Sequence, residues 1–95
     1  MAFMATAKFT KGLSLEAIDQ LTILGENIRL ARRARGWSQD EAAHRFLMSK
    51  ATLQAIEQGE PKASIGAYLA ALDTMNIAQG VEAIGASHRD PVVRR

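Results

Sequence analysis

The chain has 95 residues, enough for one domain with a small core of its own. It contains no cysteine, which excludes a disulfide framework and a thiolate metal site and fits a reducing cytoplasm; it also has no apolar run of transmembrane length and no signal-peptide h-region with a cleavage site. The net charge is only +2, but six basic residues (Arg29, Arg32, Arg33, Arg35, Arg45, Lys50) stand against three acidic ones (Glu26, Asp40, Glu41) between Glu26 and Lys50, so positive charge is concentrated in one stretch.

Residues 1–13 are set apart as an N-terminal arm. Phe3, Ala5, Ala7 and Phe9 alternate with Met4, Thr6, Lys8 and Thr10, the pattern of a half-buried strand. A lone strand needs a partner, in a dimer or in another protein, so strand and disordered arm stay equally open. A domain is expected over residues 14–86. Ser14 can cap a helix in which Ile18, Leu21, Leu24, Ile28 and Ala31 recur at three- and four-residue steps. Gly25 costs roughly 1 kcal/mol relative to Ala inside a helix, so this stretch reads either as one long helix or as two joined near Thr22–Gly25. Gly36 ends it, Trp37 folds over the core, and Ser38 caps the next helix.

From Gln39 to Gly59 the spacing predicts two short helices. Ala42, Ala43 and Phe46 form one apolar face; Ser49 caps a second helix with Leu53 and Ile56 on its inner side, and Gly59 suits the left-handed position that closes it, before Pro61. Only Leu47, Met48 and Ser49 lie between the halves, so the helices must cross steeply, as in a helix-turn-helix. On the outer face of the second helix stand Ala51, Gln54, Ala55 and Gln58, flanked by Lys50 and Thr52. That face offers amides, a hydroxyl and a cation but no carboxylate, whereas a helix meant only for solvent would more often mix Glu with Lys. Glu57 lies near the inner face, where a carboxylate in a last helical turn opposes the macrodipole and needs a cation; Arg32 is the candidate.

Beyond Pro61, Ser64 caps a helix with Ile65, Tyr68, Leu69, Leu72 and Met75 on its core face, and Asn76 is a stop. Val81 and Ile84 suggest a further short turn of helix, interrupted by Gly80 and Gly85; residues 87–95 read as a polar tail, disordered unless a partner holds it. His44 and His88 lack ligand-spaced partners, Asp40 and Glu41 simply suit a helix N-terminus, and no phosphate loop or nucleophile motif occurs. No metal, cofactor or catalytic residue is therefore expected, and the purified protein should show no turnover.

The ordered set Leu24, Ile28, Arg32, Gly36-Trp37-Ser38-Gln39, Ala42-Ala43 and Ser49 through Glu57-Gln58-Gly59 resembles the Cro/C1-type (Xre) helix-turn-helix family, which includes the phage repressors and Cro. The resemblance runs from Leu24 to Ile77. It implies an all-α, five-helix lambda-repressor-like domain, here with a short N-terminal strand or arm. It implies that the helix from Lys50 enters the DNA major groove, that Gln39 contacts a phosphate, and that Arg32 and Glu57 form a partly buried ion pair. The DNA-facing set is then Arg33, Ser38, Gln39, Ser49, Lys50, Ala51, Thr52, Gln54, Ala55 and Gln58. The family's turn usually has Gly where this chain has Leu47, and a positive φ is strained in Leu.

The expected function is a DNA-binding repressor that meets an inverted-repeat operator as a homodimer, because one recognition helix touches too few base pairs for selectivity. Ile77, Val81 and Ile84, apolar and placed after the last core helix, are the expected dimer surface. Ser64-Ile65-Gly66-Ala67-Tyr68-Leu69 with a short tail containing Asp90-Pro91 resembles HipB-like antitoxins, which accompany HipA-like kinase toxins. Any toxin should bind away from Lys50–Gln58, at the Phe3–Phe9 arm or the His88–Arg95 tail. The alternatives are a free-standing Xre-type regulator and a protein-interaction module that keeps the fold without DNA; Ala51 and Ala55, which offer no hydrogen bonds, allow the latter.

Overall fold

The computed structural model describes residues 8–93. It contains four α-helices, α1 (Leu15–Ala34), α2 (Gln39–Arg45), α3 (Lys50–Glu57) and α4 (Ile65–Thr74), and 3-10 turns at Lys8–Gly12, Val81–Ala83 and Ser87–Arg89. Every α-helix begins with a serine whose hydroxyl accepts a backbone N–H three residues on: Ser14 from Ala17, Ser38 from Glu41, Ser49 from Thr52 and Ser64 from Ala67, at 3.0–3.1 Å. Every one also ends in a left-handed residue, Gly36, Leu47, Gly59 or Asn76. Each such residue is followed by an N–H that folds back to a carbonyl of the last turn: Trp37 to Arg32, Met48 to Ala43, Glu60 to Ala55 and Ile77 to Leu72. Each helix start thus gains a side-chain acceptor for one first-turn N–H, and each helix end a folded-back donor for a last-turn carbonyl.

α3 is the hub, packing against each of the other three helices. Its Leu53 and Ile56 are completely buried, together with Ile28 of α1 and Ala42 of α2, and Phe46, Tyr68, Ala71, Leu72 and Met75 close the core around them. Trp37 lies half-buried with its ring edge-on to Phe46, the centroids 6.2 Å apart. The Tyr68 hydroxyl donates to the Glu60 carbonyl at 2.9 Å, and burial, then the nearby Glu60 charge, hold its pKa above the ordinary phenol value.

α1 is one continuous helix through Thr22–Gly25, and Gly25 is buried within it. A Cβ on Gly25 would lie 2.5 Å from the Ile56 carbonyl oxygen and 2.7 Å from those of Glu57 and the Gly59 nitrogen; one on Gly59 would lie 2.5 Å from the Leu21 carbonyl oxygen. The two glycines let α1 and the end of α3 approach backbone to backbone, a contact that any side chain would push apart.

Two expectations are corrected, and a third falls largely outside the described residues. The described residues hold four α-helices and not five: beyond α4 the chain makes only 3-10 turns, because Gly80 and Gly85 adopt positive φ on either side of Val81–Ala83. No strand occurs among the described residues; Phe9 belongs to a 3-10 turn, and the remainder of the alternating arm, residues 1–7, lies outside them. The tail is not featureless either, since Ser87–Arg89 forms a turn and the Asp90 carboxylate accepts the Val92 N–H at 2.9 Å; Arg94 and Arg95 lie outside the described residues.

Candidate nucleic-acid interface

The outer face of α3 is built from residues one turn apart. Lys50, Ala51, Gln54 and Gln58 are exposed, while Thr52 and Ala55 at the margins are half-buried. The first turn of α2 lies along this helix. Lys50 Nζ stands 3.4 Å from Asp40 Oδ1, and Gln54 Nε2 donates to Gln39 Oε1 at 3.2 Å. Ser38 and Ser49, both on this side, spend their hydroxyls on capping, and Ser49 also donates to Thr52 Oγ1 at 3.0 Å.

Behind the face, Arg32 grips Glu57 with two parallel bonds, Nε to Oε2 at 2.6 Å and Nη2 to Oε1 at 3.1 Å, with side chains only 10% and 3% exposed. Its remaining nitrogen, Nη1, donates to the Trp37 carbonyl at 2.9 Å. Such a fork satisfies both oxygens of a carboxylate that has left water. Gln39 adds a third donor, Nε2 to Glu57 Oε1 at 3.3 Å. A planar guanidinium from α1 thus locks the end of α3 and the start of α2 into one unit.

Most cations of the basic stretch are occupied. Arg29 pairs with Glu26 and Arg45 with Glu41, each at 2.9 Å, while the Arg45 guanidinium also lies 4.4 Å from the centre of the Trp37 ring. Arg35 donates to the Ala31 and Met75 carbonyls, tying together the ends of α1 and α4. Among the described residues, Arg33 alone of the six has no side-chain partner, and Arg33 and Arg35 have no carboxylate to offset them. The local excess of positive charge therefore resides on two arginines at the end of α1, beside the loop that leads into α2.

The family model of a helix-turn-helix domain matches residues 23–83, well over half of the chain and all of α2, α3 and α4. The chain belongs to the helix-turn-helix family, of the Xre/Cro-like kind. No curated protein and no solved structure matches it. Membership implies a DNA-binding regulator, in a family that is not typically enzymatic. No helix among the described residues is long and apolar enough to cross a membrane, and no group of His, Asp or Glu there could hold a metal ion.

In this helix-turn-helix domain the turn itself carries Leu47 at φ 56°, a residue 92% exposed. Leucine therefore adopts the left-handed conformation that glycine would take without cost. Ile77, Val81 and Ile84 lie apart from the α3 face. They line a shallow apolar depression with Leu24 and Leu72, and a neighbouring one shares Val81 and Ile84 with Leu21, Leu69 and Tyr68. Leu21 and Leu24, which recur at helical spacing in the sequence, are only partly buried and pack against the core, and periodicity alone did not show the depression they help to line. Asp40 as the partner of Lys50 was also missed. Its only signal is that each residue stands next to a helix-capping serine or its neighbour, on helices whose order in space the sequence does not state.

Proposed function

We propose that this chain is a sequence-specific DNA-binding repressor that meets an inverted-repeat operator as a two-fold homodimer. The observation that carries the reading is the exposed face of α3, which presents Lys50, Gln54 and Gln58 and no carboxylate of its own. Gln54 presents hydrogen-bonding groups of the kind that read an adenine edge, Lys50 can reach a guanine or a phosphate, and Ala51 and Ala55 suit contact with thymine methyls. In this reading Arg33, exposed and without a side-chain partner among the described residues, neutralises a phosphate, a contact that positions the domain without reading sequence. Ile77, Val81 and Ile84 form the dimer surface in this reading, supported by the open apolar depressions they line.

Within that role, the resemblance of Ser64–Leu69 to HipB-like antitoxins supports a place in a type II toxin–antitoxin pair with a HipA-like kinase. The kinase would bind away from α3, at the Phe3–Phe9 arm or the His88–Arg95 tail. The competing role, a protein-interaction module, draws on Ala51, which is exposed and offers no side-chain hydrogen bond. Salt separates the two. Binding to random-sequence duplex, followed from about 50 to 200 mM salt, should weaken steeply for a protein that displaces counterions from phosphate. An affinity that stays flat over that range would favour the interaction module.

A further inference from the structure

The buried pair and the exposed face are joined by one continuous chain of polar groups. It runs from Arg32 to Glu57, from Gln39 Nε2 to Glu57 Oε1 at 3.3 Å, and from Gln54 Nε2 to Gln39 Oε1 at 3.2 Å. Its direction is set at the buried end. A guanidinium only donates and an ionised carboxylate only accepts, so whatever meets Glu57 on its remaining side must offer hydrogen. Gln39 therefore turns its NH2 toward Glu57, which leaves its oxygen facing Gln54. Gln54 in turn must offer its own NH2 to that oxygen. Two carboxamides that could each stand in either of two flips are held in one by an ion pair at the core.

We infer that Gln39 is a positioning residue that makes Gln54 select adenine over guanine; this rests on the reading of α3 as the DNA-facing helix. With one N–H committed to Gln39, Gln54 has an acceptor oxygen and a single N–H left to present. That set matches adenine, which offers the N6 amino group as donor and N7 as acceptor in the major groove. Guanine offers two acceptors, O6 and N7, and a glutamine could satisfy both only by using both of its N–H groups. Gln39 withholds one of them. The substitution Gln39→Met keeps the length of the side chain and removes its acceptor, so the Gln54 amide becomes free to turn and to donate twice.

The test is selection from a randomised duplex pool with the wild-type protein, Gln54→Ala and Gln39→Met, each checked for helicity and thermal melting. Wild type should enrich a motif with an adenine that Gln54→Ala no longer requires, preferred over guanine there by about tenfold or more. Gln39→Met should still require a purine at that position, with the preference for adenine reduced to about threefold or less. The double variant should behave as Gln54→Ala alone. An adenine preference that survives Gln39→Met unchanged overturns the inference while leaving DNA reading by α3 intact. A wild-type pool that enriches no motif overturns the underlying function itself. Nitrogen-edited NMR of the free wild-type protein gives a second check that needs no DNA. One Gln54 amide hydrogen should carry the shift of a hydrogen-bonded group, and shifts of a free glutamine would equally overturn the inference.

Discussion

Arg32 illustrates how one side chain can serve stability and display at once. Its fork holds Glu57, its last nitrogen holds the Trp37 carbonyl, and through Glu57 it reaches Gln39 on the outer surface. Because the pair is almost fully buried, removing one partner leaves a charge without compensation. Glu57→Ala should cost about 3–5 kcal/mol of unfolding free energy, and replacing both residues by methionine should cost less than the two single changes together. Denaturant melts of the four proteins check this, and additive losses would show that the two side chains do not act as a unit. The need of Glu57 for a cation is legible in the sequence, since a carboxylate in a last helical turn faces the wrong end of the dipole. The position of Gln39 between Glu57 and Gln54 is not. Those contacts join residues 18 and 15 apart, and only the packing of α2 along α3 brings them together.

The helices are delimited by local chemistry, and here the sequence was most readable. Ser14, Ser38, Ser49 and Ser64 each accept the N–H of the first turn, and Gly36, Gly59 and Asn76 each take the left-handed stop. The fourth stop is Leu47, where tertiary demand overrides preference: a left-handed L-residue costs roughly 1–2 kcal/mol, and the turn is kept because α2 and α3 must both pack their faces inward. The short helical turn expected around Val81 and Ile84 is present as the 3-10 turn Val81–Ala83, and the flanking glycines at positive φ keep it from growing into a further α-helix. Gly25 was legible as an anomaly but not as a contact. Gly25→Ala should destabilise by about 2–3 kcal/mol despite better helix propensity, because the new methyl would meet the backbone of α3. Gly66→Ala in α4, where the nearest atom lies 3.8 Å away, should be neutral or stabilise by up to about 1 kcal/mol. Thermal melts of the pair give opposite signs if the α1–α3 approach is as close as described, and equal signs if it is not.

At the scale of the whole molecule, the described chain leaves much apolar surface open: Leu15, Ile23, Leu30, Ile65 and Ile84 are each more than half exposed. A two-fold contact over Ile77, Val81 and Ile84 would cover part of it and set two α3 helices about one DNA turn, roughly 34–36 Å, apart. Changing Val81 and Ile84 together to Asp should give a folded monomer in sedimentation, with operator affinity reduced towards that for random DNA; a variant that still sediments as a dimer and protects both half-sites would move the interface elsewhere. The central claim concerns α3, and it is tested most directly by measuring Gln54→Ala and Arg33→Ala on a duplex selected by the wild-type protein and on random duplex of equal length. Gln54→Ala should lose about 1–3 kcal/mol on the selected duplex through one base position and little on random DNA, whereas Arg33→Ala should weaken both alike and flatten the salt slope. Equal losses on the two duplexes for Gln54→Ala would contradict the assignment of α3 as the reading helix.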